Sequence, residues 1–182
     1  MKVLTLDSIL FTEECHRLAE CVNNSGFRPD AVVAVRRGGS FVASAMAEYI
    51  GERPVFTVDC SRRSTRHKGN LMRTVLKCMP LTVRDWLRNV EHRSLTRRKA
   101  VPATVLPDVP KEISRYRRIL ILDDAVDSGV TLHAVCRAVS AAAPTSDIRT
   151  AVLTVTTASP LIIPDYTLYR NLLLRFPWSL DA

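Results

Sequence analysis

Ile119-Leu120-Ile121-Leu122-Asp123-Asp124-Ala125-Val126-Asp127-Ser128-Gly129-Val130-Thr131-Leu132 is the stretch on which the reading of this chain turns. Four consecutive apolar residues fit a short strand buried on both faces, as strands of a parallel sheet are. An acidic pair follows at the strand's end, then a loop with a hydroxyl and a glycine, then a helix. That helix is expected over Thr131 to Ala143, with Leu132, Val135, Cys136 and Val139 on one side. In an open α/β sheet, ligands collect at the carboxyl ends of the strands. Free backbone N–H groups from Asp127 to Thr131, with the helix dipole behind them, make an anion cradle there. Gly129 lets the main chain approach closely, and Ser128 and Thr131 add hydroxyl donors. Asp123 and Asp124 would repel a phosphate placed on them; they suit sugar hydroxyls or a hydrated Mg²⁺ beside it.

Outward from this stretch the chain alternates. Ala31–Val35 is a second continuous apolar run, interrupted by Arg36-Arg37-Gly38-Gly39-Ser40. Phe41, Val42, Ala45, Met46 and Tyr49 then recur at helical spacing up to Gly51, and Val55–Val58 reads as a strand. Upstream, Thr12 stands as an N-cap before Glu13 and Glu14, with Cys15, Leu18, Ala19 and Val22 on one helical face and Gly26 closing the segment. Downstream, Ile148–Val155 and Leu172–Phe176 read as further strands. Strands alternating with helices predict an α/β fold, a parallel sheet flanked by helices on both faces. At 182 residues and 47% hydrophobic the chain suits one domain, 1–182, with a single core, which excludes disorder and fibrous classes.

The charge is unevenly placed. The chain carries +8 overall, yet Ser61–Ala100 holds twelve basic residues against two acidic ones, Asp85 and Glu91, so one segment contains the whole excess. Within it Thr82-x-x-Asp85 has capping-box spacing, and Val83, Trp86, Leu87 and Val90 form an apolar stripe beside Arg84 and Arg88. The flanks 62–69 and 93–99 read as loops, and Pro102, Pro107 and Pro110 as an extended return. Such a density of charge suits a phosphate-rich ligand, a nucleic acid, a docked protein or a solvated face. Five scattered cysteines (Cys15, Cys21, Cys60, Cys78, Cys136) without Cys-x-x-Cys spacing argue against a disulfide framework or zinc site, and for a reducing cytoplasm. No apolar run approaches the roughly 18 residues of a membrane span.

The segment Ile119–Thr131 resembles, position by position, the 5-phosphoribosyl-1-diphosphate (PRPP) motif of the type I phosphoribosyltransferases. Ala31–Gly51, with Arg37-Gly38-Gly39, resembles the strand, diphosphate loop and helix of the xanthine and hypoxanthine branch of that family. Ile163-Pro164-Asp165-Tyr166 and Phe176-Pro177-Trp178 resemble its C-terminal hood, here 156–182. The resemblance implies Asp123 and Asp124 on the ribose 2′- and 3′-hydroxyls and on Mg²⁺, directly or through water. It also implies Ala125 to Thr131 (Ala125, Val126, Asp127, Ser128, Gly129, Val130, Thr131) around ribose and 5-phosphate. Arg37, Gly38 and Gly39 would meet the diphosphate, and Asp127 would be the catalytic acid or base. A homodimer follows from the same resemblance.

Two departures stand out. The purine branch carries a Lys just after the strand equivalent to Ile148–Val155, to read the purine O6, and Thr154-Val155-Thr156-Thr157-Ala158 has none. The branch offers an aromatic just before Phe-Pro-Trp, where this chain has Leu172, Leu173 and Leu174, so Tyr166 or Tyr169 is the expected substitute stacking ring. Trp178 is expected in the core. The segment 61–100 takes the place of the family's flexible catalytic loop, as a basic insert. The expected activity is Mg²⁺-dependent transfer of a 5-phosphoribosyl group from PRPP to a nitrogenous base. The competing expectation is a regulator or effector subunit on the same fold that binds nucleotide and nucleic acid or a protein partner.

Overall fold

The structure is a computed structural model that describes residues 2–60 and 106–179. In chain order it runs β1 (Lys2–Thr5), α1 (Ser8–Asn24), β2 (Ala31–Val35), α2 (Gly38–Ile50) and β3 (Val55–Val58). After 61–105 come a 3-10 turn at Lys111–Arg115, β4 (Arg118–Val126), α3 (Val130–Ala142), β5 (Asp147–Val155), β6 (Tyr166–Arg170) and β7 (Leu172–Arg175). Five strands form one sheet in the order β3-β2-β4-β5-β6, every pairing parallel. The helix expected within 82–90 and the rest of the basic segment lie outside the described residues.

The central strands are apolar throughout because both faces are covered. All five residues of β2 and Ile119 to Leu122 of β4 are buried. Alternation decides the sides: Leu120 and Leu122 face the core under α1 and α2, with Leu18, Val22, Val42 and Met46. Ile119 and Ile121 face the core under α3, with Leu132, Val135, Val139 and Ile113. Fully burying one such side chain is worth about 1.5–3 kcal/mol, so these two layers hold the sheet that carries the site.

Several elements differ from the sequence-based expectation. The N-cap of α1 is Asp7, whose Oδ1 accepts the N–H groups of Ile9 and Leu10 at 3.0 and 2.9 Å. Thr12 is one turn inside, its hydroxyl donating back to the Ser8 carbonyl at 2.9 Å. The helix therefore begins earlier than the acidic first turn at Glu13-Glu14 suggested, because Asp at the cap satisfies orphan N–H groups better than a mid-helix Thr can. β1 and β6 were not expected. β6 adds to the main sheet beside β5, so the stretch 156–182 is divided: only β7 leaves the sheet, to pair in parallel with β1. Asn171, at φ 56°, makes the break between β6 and β7, and its N–H still donates to Val155 O at 2.8 Å. Beyond β7, Trp178 packs on Phe11, Phe41 and Phe176 with ring centroids 4.8, 4.4 and 5.0 Å away, against the core as expected.

Candidate functional site

The acidic pair does not follow β4 but lies inside it. The strand continues to Val126, with Asp123 in register with Val152 and Val126 with Val155. The pairing holds both carboxylates on a rigid strand, and the loop that follows is short. Gly129 adopts a left-handed conformation, φ 77°, and caps α3, which starts at Val130. A Cβ at Gly129 would sit 3.0 Å from the backbone nitrogen of Leu161 and 3.1 Å from that of Ile162, so only glycine fits. Leu161 N–H in turn donates to Ser128 O at 2.9 Å, folding the 157–165 connection over the loop.

The Arg-Gly-Gly stretch arrives from the neighbouring strand. The turn after β2 is only Arg36 and Arg37, both exposed, joined by a cis peptide, and α2 begins at Gly38. The two glycines are therefore the first turn of a helix rather than a loop. The reason lies in β4. A Cβ on Gly38 would overlap the Asp124 carboxylate, and one on Gly39 would overlap the Leu122 carbonyl oxygen and come within 3.2 Å of Asp123 Cα. Two helix N-termini, those of α2 and α3, thus begin around the end of one acidic strand. Arg36 reaches sideways to Asp59 at 3.3 Å. Arg37, the neighbouring exposed guanidinium, directly precedes Gly38.

Asp123 is only 8% exposed. Its Oδ1 accepts Asp124 N–H, and Asp124 Oδ1 accepts Ala125 N–H, both at 2.9 Å. Burial pushes the Asp123 carboxyl well above the usual range, and the negative charges of Asp124 and Asp127 push it further. Burial raises Asp124 too, while a hydrogen bond from Asp123 restrains that rise. The pair thus favours sharing a proton, with Asp123 holding it. Two adjacent carboxyl groups, desolvated and repelling one another, are a site with an unmet need for hydroxyl donors or a cation. They fit a hydrated Mg²⁺, which takes the rest of its shell from water and substrate oxygens rather than from an all-protein cage. Cys60 lies near Asp123: burial first, then Asp123 and Asp59, push its thiol up to about 11.

Asp127 stands exposed at the head of the loop. Thr156, one residue beyond β5, donates its hydroxyl to Asp127 Oδ1, and its N–H donates to Val126 O at 2.9 Å. That Thr156 is the partner of Asp127 depends on the β4–β5 register, which the sequence pattern does not supply.

Tyr166 and Tyr169, the expected substitute stacking rings, both send their hydroxyls toward α1. The Tyr166 hydroxyl lies 2.7 Å from Ser25 Oγ, and Arg17 donates to the Tyr169 hydroxyl at 3.2 Å while gripping the buried Glu14 at 2.9 and 2.8 Å. Both hydroxyls go to α1 or its C-cap, not to the acidic pair. Each ring has an apolar body that packs on the α1 side of the sheet and a polar tip that found a partner there. Tyr166 also lines a cavity of about 490 Å³ near the start of β4 and β5, with Arg28, Arg118, Arg149, Asp147 and Asp165. Arg149 is committed to Asp147 at 3.0 Å and Asp165 at 3.6 Å, and this cavity lies at the opposite end of the strands from the acidic pair.

The described geometry sets two helix N-termini and a pair of carboxylates together at the carboxyl end of a parallel sheet. Residues 6–172 match the model of the phosphoribosyl transferase domain, and the chain belongs to that family. Its fold is the type I phosphoribosyltransferase fold. A purine phosphoribosyltransferase from Pyrococcus horikoshii is similar, with TM-score 0.64, 20% identity, 98% of this chain and 95% of that one covered. A Helicobacter pylori xanthine-guanine-hypoxanthine phosphoribosyltransferase gives TM-score 0.64 at 18% identity, with coverage of 98% and 95%. A hypothetical protein from Neisseria gonorrhoeae with bound ppGpp gives TM-score 0.64 at 17% identity, covering 100% of this chain and 90% of that one. At these identities the likeness is one of fold. No curated protein matches the sequence.

Proposed function

We propose that the chain binds PRPP with Mg²⁺ and transfers its 5-phosphoribosyl group to a nitrogenous base, releasing diphosphate. The observation that carries this reading is the packing of Gly38 and Gly39 on Leu122–Asp124, which joins the two halves of the motif into one cradle. The α3 loop, Val126 to Thr131, offers backbone N–H groups and the Ser128 and Thr131 hydroxyls to the 5-phosphate. Asp123 and Asp124 accept the ribose 2′- and 3′-hydroxyls, replacing the repulsion they now exert on one another. Arg37, with the first N–H groups of α2, takes the diphosphate. When bound, Mg²⁺ held beside Asp123 and Asp124 would neutralise charge on the substrate's oxygens.

Displacement at C1 of the ribose passes through a state with oxocarbenium character. The protein's contribution is to hold the donor in place, to keep cations and N–H dipoles on the departing diphosphate, and to hold a carboxylate near the developing positive charge. Asp127 stands where the acceptor nitrogen would approach and takes up or returns its proton. Calorimetry of PRPP-Mg²⁺ binding, followed by a panel of bases watched for diphosphate release, tests the reading. Guanine, hypoxanthine and xanthine are expected to be poor acceptors, since 154–158 contains no Lys and neither tyrosine reaches the acidic pair.

A second reading, a regulatory subunit that binds a nucleotide without base transfer, is favoured by that same missing Lys and by the basic surplus of 61–100. The ppGpp on the gonococcal protein is in keeping with it. PRPP binding with no turnover of any base would support this second reading.

A further inference from the structure

We infer that Thr156 is the positioning residue of Asp127, fixing which carboxylate oxygen meets the acceptor base; the inference deepens the phosphoribosyl-transfer reading and rests on it. Thr156 is 3% exposed and its backbone is tied, because its N–H extends the β4–β5 ladder by donating to Val126 O at 2.9 Å. A hydroxyl has one proton to donate. The alternative acceptor near Oγ1 is Val126 O at 3.5 Å, a poor distance, whereas Asp127 Oδ1 is in close contact. The proton therefore goes to Asp127. Asp127 is exposed on a loop that ends in a left-handed glycine. Engaging Oδ1 from a rigid strand end leaves Oδ2 as the oxygen presented to an N–H of the base.

The arrangement also bears on specificity. Thr156 falls in the stretch 154–158 where the purine branch carries its O6-reading Lys. A short hydroxyl consumed by Asp127 has no proton left for a carbonyl on the base. The chain thus directs its recognition at an acceptor N–H through Asp127, in place of a carbonyl through a cation.

The test uses four full-length proteins beside the wild type: Thr156→Val, Thr156→Ser, Asp127→Asn and the Thr156→Val/Asp127→Asn double variant. Valine keeps shape and removes the donor. With PRPP-Mg²⁺ and the base that supports diphosphate release, Thr156→Val should lower kcat by about tenfold or more, the worth of one hydrogen bond to a charged group. Its KM for PRPP should stay within about twofold, Ser should restore most of kcat, and valine should add no further loss in the Asp127→Asn background. A merely structural role would shift KM or stability equally in both backgrounds. Full kcat in Thr156→Val, an equal loss in both backgrounds, or no rescue by Ser overturns the inference. A wild type that binds PRPP and turns over no base in the panel overturns it also, whereas a wild type that does not bind PRPP overturns the transfer reading beneath it.

Discussion

Replacing Asp123 by Asn is expected to stabilise the protein and to abolish its use. Asp123 is buried, faces Asp124 and Asp127, and its carboxyl is held well above the ordinary range. Asn keeps an oxygen for the Asp124 N–H at 2.9 Å and offers an amide N–H to the Asp124 carboxylate in place of the shared proton. The sign follows from proton counting. In the unfolded chain the group ionises near pH 3.9, while the folded protein retains its proton to higher pH. Between those two values the folded state binds more protons, so wild-type stability falls as pH rises through the interval and stays lowered above it. Freed of that penalty, the variant should melt higher at pH 7.5, by roughly 2–4 °C per kcal/mol recovered in a chain of this size. Below about pH 4 both states are neutral there and the advantage should vanish. Thermal melts of both proteins at pH 4.5 and pH 7.5 measure this, with PRPP calorimetry alongside. The variant should melt higher at pH 7.5, gain less at pH 4.5 and bind PRPP at least about tenfold more weakly. A variant that melts lower at pH 7.5, or gains equally at both pH values, refutes the reasoning that the pair is a strained, ligand-seeking site.

Other expectations follow from particular contacts. Gly39→Ala forces a methyl onto the Leu122 carbonyl and should cost about 1–3 kcal/mol in urea unfolding, with PRPP affinity lost as α2 is pushed from β4. Burial pushes the thiols of Cys15 and Cys136 up to about 12, and Cys21 is exposed. In a Cys78→Ser background, Ellman's reagent at pH 8 should therefore label Cys21 at once, the half-buried Cys136 more slowly and the buried Cys15 only on unfolding; fast labelling of Cys15 contradicts the packing. Changing Arg62, Arg63, Arg66 and Lys68 together to Ser should lower both the affinity for single-stranded RNA and its salt slope, if the segment grips nucleic acid through counterion release. Unaltered RNA binding with lowered turnover assigns the segment to catalysis instead.

The parts of the fold legible in the sequence are those where burial is complete. Ala31–Val35 and Ile119–Leu122 are apolar at every position because both faces are covered, and they gave the parallel sheet directly. β1 escaped notice because all four of its residues are exposed, so its sequence carries no burial pattern. β6 escaped because Tyr166–Arg170 is half-buried and follows two prolines, which read as a connection. At the site, the acid pair and the glycines were legible as types and spacings. That Gly38 lies on Asp124, and that Thr156 meets Asp127, depends on strand neighbours far apart in sequence. The partners of the two tyrosine hydroxyls were not legible either, since Ser25 and Arg17 lie on α1 or its cap, far away in sequence.

The most direct test of the central claim is calorimetric titration of the full chain with PRPP in the presence of Mg²⁺, repeated on Asp124→Asn and Thr131→Val. Saturable binding by the wild type, weakened at least about tenfold in both variants, is the result the cradle requires. No binding by the wild type, or the same affinity in all three proteins, contradicts it.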